Sequence, residues 1–315
     1  MNELKCKICN NESGNELIVL RERQLGMGDM FDYIICSNCK CIQIKEIPAD
    51  MGKYYPSEYY AFDAPKFPTK LTWFNFFLKK SLIRYYMGYF DPAGFFLSFI
   101  FDHPFPWIRK REINFDSKIL DVGTGAGRKL LSLQRSGFRN LTGIDPYIEG
   151  DMIFENGVKI LKKDISEVED KYDFITLHHS FEHMPDPAAV VMNLSRLLDR
   201  NGVIVIRIPV ADCHAWYKYG EFWVGLDAPR HFFIHTRRSI EILLNSTDLM
   251  IDDVVFDSGP LQFMRSEKYK RGMIQSAPDD IFTKQEIEKY TRESEMLNRT
   301  GKGDMACFFI KKKNN

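Results

Sequence analysis

Asp121-Val122-Gly123-Thr124-Gly125-Ala126-Gly127 is the stretch that decides how this chain folds. It follows a short apolar run, Lys118-Ile119-Leu120, and leads into a helical pattern, Arg128-Lys129-Leu130-Leu131-Ser132-Leu133. A strand, a glycine-rich turn and a helix in succession build a nucleotide-type pocket. The glycines let backbone approach a ligand, and the helix start offers N–H groups that have no intrahelical partner. A dinucleotide fingerprint, Gly-x-Gly-x-x-Gly, needs its third glycine at position 128, where this chain has Arg128. Here the third glycine comes one residue early, and Asp121 stands two residues before the first.

Outward from this turn, residues 115–210 alternate strand and helix, which predicts a parallel sheet with crossover helices. Strands are expected at 119–122, 141–144, 158–161, 174–177 and 203–208, with two more at 254–256 and 306–310. Asp186 and Pro187 mark a helix start and Asn201-Gly202 its stop, while Thr236 is placed to cap a helix over 239–244. Asp121, Asp145 and Asp164 fall at the ends of the first three strands, on the edge where open α/β sheets bind ligands.

The acidic residue with its early third glycine resembles the Asp/Glu-x-Gly-x-Gly-x-Gly pattern of class I S-adenosylmethionine-dependent methyltransferases, and the likeness runs from here to the C-terminus. It implies an α/β, Rossmann-like sheet of seven strands, closed by an antiparallel hairpin of the last two, with S-adenosylmethionine as cofactor. Gly123, Gly125 and Gly127 would then pass close to the methionine portion and ribose. Asp121 would orient the loop and meet the amino-acid end, Asp145 would accept both ribose hydroxyls, and Asp164 would accept from the adenine amino group. His178, closing the fourth strand, is assigned to the cofactor side.

Before this domain lie two Cys-x-x-Cys knuckles, Cys6-Lys7-Ile8-Cys9 and Cys36-Ser37-Asn38-Cys39, with Cys41 as a nearby spare. Four thiolates satisfy tetrahedral zinc and close a unit too small to fold on its own core. Residues 1–50 are read as this zinc ribbon, with short strands at Leu17-Ile18-Val19-Leu20 and Tyr33-Ile34-Ile35. A knuckle pair ahead of such a sheet resembles bacterial sugar-modifying methyltransferases, more closely those of polysaccharide and O-antigen clusters. The residues that carry the resemblance are 178–187, His-His-Ser-Phe-Glu-His-Met-Pro-Asp-Pro, and 223–231, Trp-Val-Gly-Leu-Asp-Ala-Pro-Arg-His.

Residues 51–114 form an aromatic-rich helical cap, with Leu71, Phe74, Leu78, Leu82 and Tyr85 at helical spacing between Pro68-Thr69 and Gly88. Its Trp73-Phe74-Asn75-Phe76-Phe77 run is expected to pack into the core. With Lys79, Lys80 and Arg84 beside it, peripheral membrane contact is the alternative. Residues 115–315 make the methyltransferase domain, interrupted by an acceptor-side insertion at about 211–235, where Trp216, Tyr217, Tyr219, Phe222 and Trp223 are placed to cover the acceptor.

Methyl transfer to a hydroxyl or carbon needs a proton removed, and histidine suits that work near neutral pH. The loop after the fourth strand supplies the candidates: His179 and His183 first, with Glu182, and then His231. His231 and His235 are four apart, but Phe232-Phe233-Ile234 predicts an extended segment, which argues against a helical metal pair there.

Composition sets outer bounds. Lys+Arg and Asp+Glu both total 43, and this neutrality argues against nucleic acid as the partner. Seven cysteines, five of them in the first 41 residues, suit metal binding in a reducing compartment, and the expected location is the cytoplasm. The expected function is methyl transfer to a nucleotide- or lipid-linked sugar or a polysaccharide. An RNA-modifying methyltransferase gripping its substrate through the zinc ribbon and a non-catalytic binding protein of the same fold are the alternatives.

Overall fold

The computed structural model describes residues 4–55, 72–110 and 112–313. The chain folds as two compact units. One comprises Met1–Pro56, His179–Met192 and Ile206–Phe309; the other comprises Ser57–His178, Asn193–Val205 and Ile310–Asn315.

In chain order the ladder begins with β1 (Glu16–Arg21), β2 (Met30–Ile35) and β3 (Ile42–Ile44). Helices α1 (Trp73–Tyr86) and α2 (Pro92–Leu97) come next. Then follow β4 (Lys118–Val122), α3 (Arg128–Gln134), β5 (Asn140–Ile144), β6 (Met152–Ile153), β7 (Lys159–Leu161) and β8 (Tyr172–His178). The remainder is α4 (Pro187–Leu197), β9 (Leu198–Pro209), α5 (His214–Tyr219), β10 (Phe233–Ile234), α6 (Arg237–Leu244), β11 (Leu249–Phe256), α7 (Leu261–Lys270), α8 (Lys284–Arg299) and β12 (Met305–Lys312).

The larger sheet runs β11-β12-β9-β8-β4-β5-β7-β6. Strand β4 pairs in parallel with both β5 and β8, and β5 pairs in parallel with β7. A strand flanked on both sides and covered on both faces needs a continuous apolar run, and Ile119, Leu120 and Val122 are all buried. Strand β6 adds an antiparallel edge to β7, so the sheet has eight strands among the described residues where seven were expected. A two-residue strand leaves no periodicity to read.

Two further expectations need correction. Helix α4 ends at Leu197, and Asn201-Gly202 lies inside β9. Gly202 serves a close approach instead: a Cβ there would stand 2.9 Å from the Asp173 carbonyl oxygen and 2.7 Å from Leu198 Cδ1. Strands β11 and β12 are neighbours as expected, but α7 and α8 lie between them in sequence, so they are not a hairpin. Other signals held. Asp186 Oδ1 accepts from the Ala189 amide at the start of α4, and Thr236 caps α6 by accepting from Ser239 N.

A second sheet, β1-β2-β3-β10, is antiparallel between β1 and β2, β2 and β3, and β3 and β10. It joins the cysteine-rich segment to residues 233–234, through Phe233 opposite Gln43 and Ile234 opposite Ile42.

Helix α1 is capped by Thr72, which accepts from Asn75 N; Leu71 and Pro68-Thr69 lie outside the described residues. Gly94 lets α2 press against α1, since a Cβ there would come within 2.1 Å of the Ser81 carbonyl oxygen. The expectation that the aromatic run of α1 packs into a core is overturned. Trp73 is 78% exposed and Phe74 61%. The sides of α1 and α2 that do bury are lined by Leu82, Ile83 and Gly94. No described helix is long and apolar enough to cross a membrane.

Candidate functional site

The glycine turn belongs to the unit containing β4 to β8. Gly123, Gly125 and Gly127 have φ of 73°, 52° and 74°, a left-handed region that penalises any Cβ by ~1–2 kcal/mol per residue. All three positions therefore demand glycine for conformation, and Gly127 also for space, because a Cβ there would lie 1.8 Å from Ile160 Cδ1. The turn hangs on β5: the Gly123 amide donates to the Ile144 carbonyl at 2.9 Å, and the Gly125 amide donates to Asp145 Oδ2 at 2.9 Å.

Each strand-end acid has a distinct setting. Asp145 is buried, and its Oδ1 accepts from Tyr147 N at 2.9 Å. Burial pushes its carboxyl up from the ordinary aspartate range; the Asp121 charge adds to this, and the Tyr147 and Gly125 amides oppose it. Asp121 is also buried, with Oδ1 accepting from Thr176 Oγ1 at 2.7 Å on the paired strand β8. Asp164 is exposed and caps a short turn, its Oδ1 accepting from Ser166 N and Oγ. It therefore stands apart from the glycine turn's hydrogen bonds. His178 ends β8 with its ring edge-on to Trp107, 4.7 Å between centroids, and Trp107 in turn stacks on Phe174.

The histidine cluster belongs to the other unit, beginning at the next residue, His179. His179 adopts φ 52°, contacts Arg207 through Nε2, and holds Nδ1 3.5 Å from Glu182 Oε1. Glu182 and His183 sit in a single helical turn, and His231 reaches them from 48 positions downstream. Two bonds close that distance: Phe232 N donates to the Glu182 carbonyl at 2.8 Å, and His183 Nδ1 lies 2.7 Å from the Arg230 carbonyl. The His183 and His231 rings stand 4.8 Å apart. Burial alone would raise the Glu182 carboxyl, but His179, His183 and His231 outweigh it and hold the group at about 2. Burial lowers His183 to about 4, with the His231 charge acting in the same sense. Near neutral pH the cluster thus contains an anionic Glu182 and a neutral His183.

His235 does not join. Its ring is sandwiched between Phe181 and Phe233, Nδ1 is 3.1 Å from Ser239 Oγ, and burial brings it down to about 3. Trp223 is likewise committed elsewhere: it is wholly buried and its Nε1 donates to Asp304 at 3.1 Å, whereas Tyr217 is exposed. Sequence reasoning missed Asp227, Tyr55 and Arg230. Asp227 Oδ2 is 3.6 Å from His231 Nε2, and Tyr55 Oη is 3.3 Å from His183 Nδ1. Of these, Asp227 and Arg230 lie inside the quoted segment 223–231, four and one residues before His231, and carried a readable signal; Tyr55 carried none.

The two knuckles come together with matching geometry. Asn10 N donates to the Cys6 carbonyl and Lys40 N to the Cys36 carbonyl, both at 3.0 Å, and Asn10 and Lys40 share a left-handed φ of 57° and 60°. Cys6 and Cys39 sulfurs are 3.6 Å apart and those of Cys9 and Cys36 3.5 Å. The edge of a tetrahedron with zinc–sulfur bonds of ~2.3 Å is ~3.8 Å, so the four sulfurs fit a single tetrahedral ion. Cys41, buried, stands outside the group of four.

Among curated proteins, a ubiquinone biosynthesis O-methyltransferase of Erwinia tasmaniensis is 31% identical over 113 residues, 32% of this chain and 46% of that protein. A human protein named EEF1A lysine methyltransferase 2 is 39% identical over 66 residues, 19% of this chain and 28% of that one. The chain spans less than half the length of these relatives. Among solved structures, an O-methyltransferase of a trans-AT PKS multienzyme from Brevibacillus brevis, in complex with S-adenosyl-L-homocysteine, covers 64% of this chain and 69% of its own. It is 19% identical with a TM-score of 0.38, so the assignment rests elsewhere. Residues 97–254, half of the chain, match the model of the family described as methyltransferase domain, and the chain belongs to that family.

Proposed function

We propose that this protein is a class I S-adenosylmethionine-dependent methyltransferase acting on a sugar-type acceptor, carried on a nucleotide or lipid or within a polysaccharide. The observation that carries the cofactor assignment is the turn of three left-handed glycines tied by its Gly125 amide to the buried Asp145 carboxylate. When bound, the cofactor supplies a methyl group activated by its sulfonium. Asp145 accepts the ribose hydroxyls on lone pairs left over from its two amide bonds. Asp121, fixed by Thr176, positions the loop for the amino-acid end, and Asp164 keeps Oδ2 for the adenine amino group. The proton of the acceptor goes to the group formed by His179, Glu182, His183 and His231. Zinc on Cys6, Cys9, Cys36 and Cys39 holds the N-terminal sheet.

Isothermal titration with S-adenosylmethionine tests the cofactor half, with saturable binding expected; absence of binding by the folded, zinc-loaded protein would falsify it. Release of S-adenosylhomocysteine with candidate sugar donors then tests the acceptor.

Exposed aromatic and aliphatic side chains between residues 73 and 100 support a lipid-linked acceptor. Trp73, Phe90, Phe96, Phe99 and Ile100 are each between 68% and 92% exposed, and Lys79 and Lys110 are exposed in the same segment. That combination suits an anionic bilayer surface. Co-sedimentation with vesicles containing phosphatidylglycerol is expected for the wild type, weakened at least about tenfold by Phe90→Glu with Phe99→Glu. Equal pelleting of both proteins, or of neither, excludes this route to the acceptor.

A further inference from the structure

The geometry points to a second metal centre: we propose that Glu182, His183 and His231 bind a divalent transition-metal ion of the class that accepts imidazole and carboxylate together, such as manganese, iron, cobalt or zinc. One ligand atom from each residue lies within 4.8 Å of the others. What distinguishes the group from an ordinary polar cluster is which of its nitrogens carry hydrogen.

A backbone carbonyl can only accept, so it fixes which imidazole nitrogen carries hydrogen. His183 Nδ1 is 2.7 Å from the Arg230 carbonyl and His231 Nδ1 is 2.9 Å from the Gly225 carbonyl. Both rings therefore carry hydrogen on Nδ1, which leaves Nε2 as the atom each can offer to an ion. This is the arrangement in which outer hydrogen bonds orient imidazole ligands around a metal. Glu182 is the third member. It is 0% exposed, and neither carboxylate oxygen has a hydrogen-bond partner. Burying a carboxylate in that condition is costly, and no hydrogen-bond partner offsets the cost. A cation does.

The spacings agree. His231 Nε2 is 3.9 Å from Glu182 Oε1 and 3.6 Å from Asp227 Oδ2, too far for hydrogen bonds. Ligand atoms each ~2.1 Å from one ion stand ~3–4 Å from each other. Asp227 itself is held by Arg230. Two histidines and one carboxylate leave coordination positions open.

Metal binding stands independently of the reaction; the role of the ion rests on the methyl-transfer reading above. An acceptor hydroxyl taken at an open position becomes more acidic. Its proton passes to His179, the member of the base group that is not a ligand, its oxygen keeps the electron pair that forms the new O–CH3 bond, and the S–CH3 bond breaks to release a neutral thioether.

The test is titration of the full-length, zinc-loaded protein with Mn2+, reading free Mn2+ by electron paramagnetic resonance. Manganese prefers oxygen and imidazole to thiolate, so the cysteine cluster does not compete. The wild type is expected to show one saturable site, lost in both Glu182→Gln and His231→Gln while zinc content and circular dichroism stay unchanged. Should a variant fail to fold, Co2+ added to the wild type decides: visible d–d bands without a sulfur-to-cobalt charge-transfer band support a site of nitrogen and oxygen ligands. No saturable uptake of Mn2+ or Co2+ by the wild type, or uptake retained in both folded variants, overturns the proposal. Titration with S-adenosylmethionine in the same samples separates failure of this site from failure of the cofactor assignment.

Discussion

Stripping the cysteine cluster with a strong chelator, or replacing Cys36 by Ser, is expected to collapse the small sheet and loosen the segment that carries His231. The sheet has little else to stand on. Its apolar interior is Leu20, Tyr33, Ile34, Ile42 and Ile44, while Leu17, Val19 and Met30 lie open to solvent. A structural zinc contributes roughly 10–16 kcal/mol of binding, as much as the whole stability of an ordinary domain. The damage should not stop at the knuckles. Thr236 Oγ1 donates to the Cys39 carbonyl at 2.6 Å, Tyr33 Oη to the His231 carbonyl at 2.9 Å, and Ile44 N to the Phe232 carbonyl at 2.8 Å. Residues 231–236 are thus braced by the cysteine-rich segment at three points. Proteolysis should cut residues 4–55 within minutes of chelation, and Mn2+ affinity at Glu182, His183 and His231 should fall with it. A chelated protein that keeps its protease resistance and circular dichroism would remove zinc from the account.

That brace shows where sequence reasoning stops. The glycine turn, its flanking strands and the acids closing them were legible because each is a local pattern: left-handed positions demand glycine, and buried parallel strands demand apolar runs. The knuckles were legible for the same reason, as two turns of identical spacing. Asn201-Gly202 misled because a glycine needed for close approach to Asp173 looks, in sequence, like one that ends a helix. The aromatic run of α1 misled because helical spacing says which residues share a face but not what covers it. The union of Glu182 with His231 was illegible in principle. It depends on two hydrogen bonds between residues 47 and 50 positions apart, and on carbonyls that place hydrogen on Nδ1 of each imidazole. His179, His183, Glu182 and His231 were named as a reservoir of bases; that three of them could share an ion required coordinates.

Asp145→Ala is expected to abolish measurable S-adenosylmethionine binding, and the reason lies in the apo protein as much as in the ligand. The carboxylate accepts the Gly125 amide on Oδ2 and the Tyr147 amide on Oδ1. Truncation strips both amides of their acceptor at a cost of about 1–3 kcal/mol each where water cannot replace it. The glycine turn then loses its tie to β5, so the cradle relaxes before any ribose contact is counted. Adding a charge-assisted acceptor for two hydroxyls, the loss in affinity should exceed roughly a hundredfold. Asp145→Asn is the sharper variant. It keeps one oxygen, so one amide stays satisfied, but its NH2 faces the other donor; stability should fall less than in Asp145→Ala while binding is still lost. The pH dependence runs in opposite senses for folding and binding. Burial raises the Asp145 carboxyl above its unfolded value, so its favourable contribution to stability is present below the unfolded pKa and disappears as pH rises through the folded one. Cofactor binding needs the ionised form, so affinity should weaken on acidification at a higher pH than an ordinary aspartate would dictate. Titrations from pH 7 downward, paired with thermal melts of the apo protein, measure both trends. Affinity that is flat across the range, or retained in Asp145→Ala, would show that the glycine turn holds its ligand without this carboxylate.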